Sequence, residues 1–82
     1  MIHGRVQGVF FRDAVRAQAV RHGVTGWVAN RDDGTVEAWL EGDAGAVATM
    51  LAWCEDGPKG ASIDRVDVER VEPQDLTDFV VC

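Results

Sequence analysis

The sequence predicts an α+β sandwich in the order β-α-β-β-α-β, with two helices packed on one face of an antiparallel sheet and a short strand appended. Three observations carry this. Two segments repeat apolar residues at helical spacing, and an Asp33-Gly34 turn joins two alternating, strand-like runs. No repeat, linker or low-complexity tract interrupts the 82 residues, so the chain reads as one domain, 1–82. A chain of this size holds a single core, with about 60% of its unfolded surface buried on folding.

The elements follow in order. Met1 to Val6 is short and β-permissive. From Phe11 to His22 the residues Phe11, Val15 and Ala19 recur every four positions with Ala14 beside them, and Gly23 stops the helix. Thr25 to Asn30 and Thr35 to Glu41 are strands expected to pair antiparallel through the intervening turn, with Val36, Ala38 and Leu40 on one face. Asp43 is the expected N-cap of a second helix whose apolar stripe reads Ala44, Val47, Ala48, Leu51, Cys54, and Gly57-Pro58 ends it. Ile63 to Val71 is expected to be a long alternating strand with an irregularity near Arg70. Phe79 to Val81 is the last, short strand. This order is that of a ferredoxin-like βαββαβ sandwich.

Composition narrows the function. The net charge of −6 opposes nucleic-acid binding, which is driven by clustered Lys and Arg releasing counterions. No apolar run approaches the roughly 20 residues that cross a bilayer, and no segment resembles a signal peptide. Neither nucleic acid nor membrane is expected as a partner, and a cytoplasmic, monomeric protein is the default expectation. Cys54 and Cys82 lack metal or redox spacing. They are expected as free thiols, a disulfide being left open because bridging depends on a spacing the sequence does not reveal. His3 and His22 are isolated, Ser62 has no activating neighbour, and Trp27, Trp39 and Trp53 read as packing residues. No metal cluster or cofactor motif is present, so the expected cofactor list is empty.

One stretch stands out: Gly4-Arg5-Val6-Gln7-Gly8-Val9-Phe10-Phe11-Arg12. Its glycines are expected to bend the backbone so that successive N–H groups converge, just where a helix begins with unpaired N–H groups and the positive end of its dipole. Arg12 adds a planar fork of donors suited to phosphate or carboxylate. A small anion is the expected guest, because over a Debye length of about 8 Å the local charge of Arg5 and Arg12 outweighs the acidic balance of the whole. At least one of Phe10 and Phe11 is expected to anchor the helix in the core.

This stretch resembles the phosphate-binding loop of the acylphosphatase family, Gly-Arg-Val-Gln-Gly-Val-x-Phe-Arg, and matches it at every specified position. Gly26, Val28 and Asn30 likewise match the family's Gly-x-Val-x-Asn segment. The family has several more residues ahead of its first glycine than this chain has. The resemblance implies that Arg12 and the backbone amides of Gln7, Gly8, Val9, Phe10 and Phe11 hold a phosphoryl group. It also implies that Asn30 orients the attacking water, that no metal takes part, and that the substrate is a small acyl phosphate. Inorganic phosphate would then be both product and inhibitor.

Such a sparse site suits that chemistry. The carboxylate leaving group needs little protonation and the transition state is loose, so placement and charge stabilisation supply most of the help. An alkyl phosphate needs a proton donor, and none is visible. Two other readings stay open at this point: a non-catalytic module that keeps the anion loop for a regulatory ligand or a carbamoyl-phosphate-handling partner, and an RNA-binding domain. The second would require exposed aromatic platforms and a basic surface.

Overall fold

The computed structural model describes residues 1–8 and 10–82; Val9, one of the expected loop donors, lies outside the described residues. The elements are β1 (Ile2–Arg5), α1 (Phe11–His22), β2 (Thr25–Asn30), β3 (Val36–Glu41), α2 (Ala44–Asp56), β4 (Ser62–Val66) and β5 (Phe79–Val81). The strands form one sheet in the order β4-β1-β3-β2-β5. Both helices pack against the strands and against each other, so they share one face. Between helices and sheet lies a single core in which Phe11, Val15 and Met50 meet Ile2, Val28 and Val36.

Each helix is bounded by local chemistry. In α1 the buried residues are Phe11, Val15 and Ala19, as the spacing predicts, and Gly23 closes the C-terminus in left-handed geometry, φ 69°. The Asp43 side chain caps α2 by accepting from the N–H groups of Gly45 at 3.0 Å and Ala46 at 3.2 Å. The face that α2 buries differs from the expected one. Met50 and Cys54 are buried, and Ala46, Val47 and Trp53 pack against the core. The helix is apolar around most of its circumference, so periodicity admits two stripes, and contact of Trp53 with Phe11, ring centroids 6.0 Å apart, selects one. Of the expected stripe, Cys54 is buried and Val47 packs against the core, whereas Ala44, Ala48 and Leu51 line a groove of about 700 Å³ shared with Leu40 and Val68.

Two further expectations are corrected in the sheet. β4 ends at Val66 rather than Val71. Ile2 lies opposite Val66, and the last backbone bonds beyond that pair join Asp67 to Met1 in both directions, each at 2.9 Å. Past this point the segment has no strand beside it, so Val68 and Val71 are exposed and residues 67–78 form no helix or strand. The sheet is also mixed. β1, β2, β3 and β4 pair antiparallel, but β5 runs parallel to β2, with Gly26 opposite Phe79. The reason is directional: β4 runs against β1 and finishes at the end of the sheet where β2 starts. A chain crossing that end therefore enters the far edge in the direction of β2.

The crossing segment is gripped by one carboxylate. Glu41, the last residue of β3, accepts from the N–H of Gln74 at 2.7 Å, the indole N–H of Trp39 at 2.6 Å and the N–H of Leu76 at 3.1 Å. These bonds, that from Gln74 foremost, hold its carboxyl below the ordinary value of 4.5. Gly4 also differs from expectation. It belongs to β1 at a register shift against β4, where a side chain would run into the Ser62 carbonyl oxygen, so it serves sheet pairing and not the anion loop.

Two predictions follow from the fold. Because a depressed carboxyl stabilises only while ionised, the grip of Glu41 is whole above pH 4.5 and is lost as the pH falls below that value through the lowered folded one. Protection factors of the Gln74 and Leu76 amides, relative to intrinsic exchange at the same pH, should accordingly fall several-fold in Glu41→Ala and on acidification, with those of α1 amides unaffected. Both cysteines are free; Cys54 is buried, which pushes its thiol up to about 11, and Cys82 is exposed. A thiol reagent should label Cys82 in the native protein and Cys54 only after unfolding.

Candidate active site

The site forms where β1 hands over to α1. Val6 is buried and fixes the end of the strand in the core. The chain then bends through Gly8, φ 76°, and Phe10, φ 58°. Within α1 the Ala14 N–H bonds to the Phe10 carbonyl at 3.0 Å, and no side chain caps the helix. The N–H groups of Phe11, Arg12 and Asp13 precede that first helical bond, so they and the dipole present positive potential outward.

In front of them is a cavity of about 260 Å³. Val6, Gly8, Phe10, Phe11 and Arg12 line it from the loop and first helical turn, and Asn30 lines it from the end of β2. Two residues remote in sequence are thus brought to one small space. Asn30 arrives because β2 and β3 are in continuous register from Thr25 opposite Glu41 to Asn30 opposite Val36. That register sets where the strand ends beside the loop. Phe11 supplies the expected core anchor at 1% exposure, whereas Phe10 is 82% exposed.

The side chains around the cavity are held from outside it. Arg12 Nη1 donates to the main-chain oxygen of Cys82 at 2.6 Å, which orients the guanidinium from the β5 side. Gln7, expected to act through its backbone, has a second role: its Nε2 donates to the Arg31 carbonyl at 2.7 Å and the Thr35 carbonyl at 3.0 Å. Both acceptors belong to the β2–β3 turn that follows Asn30. That turn is closed by Arg31 N–H to the Thr35 carbonyl at 2.8 Å. Inside it the Asp33 carboxylate accepts from the Thr35 hydroxyl at 2.6 Å and N–H at 3.0 Å, which lowers the Asp33 pKa. Arg31 pairs with Glu37 and lies 5.9 Å over the Trp27 ring, so its charge is committed to the turn and sheet.

Asp13 was missed from sequence. Its position in the first turn of α1 complements the helix dipole, and it is also among the residues that line the cavity. The brace from Gln7 was equally invisible, since its acceptors lie 24 and 28 positions away and are main-chain atoms with no side-chain signature. Among the described residues no group of three His, Cys, Asp or Glu side chains could hold a metal ion, and no helix is long and apolar enough to cross a membrane.

Comparison with known proteins places this geometry in a family. The acylphosphatase family model matches residues 1–81. The chain is 56% identical over 68 residues to an acylphosphatase of Rubrobacter xylanophilus, covering 83% of this chain and 62% of that relative, which is less than two thirds of its length. It is 51% identical over 80 residues to an acylphosphatase of Nocardioides sp., covering 98% of this chain and 81% of the relative. Among solved structures, an acylphosphatase from Coxiella burnetii superposes with a TM-score of 0.95 at 37% identity, over 99% of this chain and 85% of that one. Sequence and fold therefore agree, and the chain belongs to the acylphosphatase family of enzymes.

Proposed function

We propose that the chain hydrolyses the carboxyl–phosphate bond of acyl phosphates by direct, metal-free attack of water. The observation that supports this most is the sharing of one cavity by Arg12, Asn30 and the uncapped start of α1. In this reading the amides from Gln7 to Phe11, with the Arg12 guanidinium, bind the phosphoryl oxygens. The Asn30 carboxamide holds a water on the side opposite the leaving carboxylate. The water oxygen forms the new bond to phosphorus, the bond from phosphorus to the acyl oxygen breaks, and carboxylate and inorganic phosphate result. The water loses its protons to phosphate oxygens and solvent.

The energetics are sufficient. One preorganised donor aimed at developing charge contributes about 3 kcal/mol, and a guanidinium with several amides supplies more than one. The carboxylate departs without a general acid, so the absence of a histidine from the cavity lining costs this reaction little. Family membership supports the acyl phosphate substrate class. The fork of Arg12 is already directed by Cys82, which limits the reorganisation required on binding.

The test is hydrolysis of acetyl phosphate with chelator present. Arg12→Ala should lose at least about a hundredfold in kcat/KM, and Arg12→Lys should also bind phosphate more weakly, because the ammonium lacks the planar fork. Asn30→Ala should lower kcat while leaving the competitive inhibition constant of phosphate within about threefold of the parent, since water placement matters only to the chemical step. Equal loss of phosphate binding in both variants, or no turnover by the parent protein, would overturn the reading. Gln7→Ala keeps its main-chain amide but frees the β2–β3 turn, so kcat should fall by about tenfold, with phosphate inhibition little altered.

A further inference from the structure

We propose that Phe10 selects the acyl part of the substrate, favouring phosphates of aromatic or otherwise apolar acids; this rests on the hydrolytic reading above. Two adjacent phenylalanines have opposite fates. Phe11 is buried in the core and packs in a tilted arrangement against Trp53, whereas Phe10 stands 82% exposed and outside the core cluster. Phe10 also occupies left-handed backbone geometry, φ 58° and ψ 26°, at the N-cap of α1 and makes no capping bond.

Both features work against folding. A large aromatic at positive φ is strained where glycine or asparagine would not be, and an N-cap position favours a side chain with an accepting oxygen. Exposed apolar area adds nothing to the core. The same residue lines the cavity that holds Arg12 and Asn30, so an exposed apolar side chain stands at the mouth of the cradle. With the phosphoryl group against the loop amides, the acyl group must lie toward this mouth. An aromatic ring there can stack on a benzoyl group but gains little from a methyl group.

The favoured substrate is therefore an acyl phosphate whose carbon skeleton is apolar.

The experiment compares two substrates and two inert ligands in the parent protein and in Phe10→Gly. Glycine retains the amide at this position and accepts positive φ, so the variant should melt no lower than the parent. The ratio of kcat/KM for benzoyl phosphate to that for acetyl phosphate should fall by about threefold to tenfold in the variant, the size expected of one aromatic contact. Effects common to both substrates cancel in this ratio. Phenylphosphonate should likewise lose its advantage over methylphosphonate in calorimetric binding, a readout that needs no turnover. Phe10→Leu should keep part of each preference. An unchanged phenyl-to-methyl binding ratio in Phe10→Gly overturns the proposal. A parent protein that shows the binding preference but hydrolyses neither phosphate upholds the contact and overturns the hydrolytic reading instead.

Discussion

The carboxamide of Gln7 reaches across the sheet end and donates to two main-chain carbonyls of the turn after Asn30, at 2.7 and 3.0 Å. These two bonds join the halves of the site. In the proposed mechanism one half, the loop and first turn of α1, binds the anion, and the other, the end of β2, orients the attacking water. Neither is useful unless their separation is fixed to a fraction of an ångström, because misplacement of a reacting group is expensive in rate. Hydrogen bonds to main-chain carbonyls serve this purpose well, since the acceptors move only if the hairpin itself moves. Thr35 and Asp33 stiffen that hairpin from within, and the β2–β3 register supports it from below.

Electrostatically the molecule is divided. Overall it is acidic, and several of its carboxylates serve structure: Asp43 caps α2, Glu41 holds the crossing segment, and Asp67 joins His3 and Arg65 across the first and fourth strands. In the proposed mechanism an anion is recognised by short-range, oriented donors at one helix terminus and Arg12 rather than by a broad basic surface. That arrangement selects a small group able to enter the cavity over a polyanion that needs an extended face.

The early end of β4 has a simple cause. A strand persists only while a neighbour supplies backbone partners. Ile63 to Val66 have β1 beside them, but Val68 to Val71 do not, and identical alternation therefore yields strand in one half of the run and irregular chain in the other. The α2 stripe was ambiguous for a related reason. Alanine-rich helices present apolar atoms on several faces, and only contact with Phe11 and the sheet decides which one is covered.

What the sequence determined by itself was local: the helix from Phe11 to His22 and its glycine stop, the Asp43 cap, the Asp33-Gly34 hairpin, and a glycine-punctuated loop running into a helix with an arginine in its first turn. These follow from backbone geometry and hydrogen bonding over a few residues, which neighbouring side chains encode directly. Tertiary structure alone decided that Asn30 and Arg12 face one cavity, that Gln7 braces the opposite turn, that Gly4 serves strand pairing, and that Asp13 and Phe10 stand at the cavity wall. Each of these depends on main-chain atoms far apart in the chain, and a carbonyl oxygen leaves no mark in the sequence to say which donor will reach it.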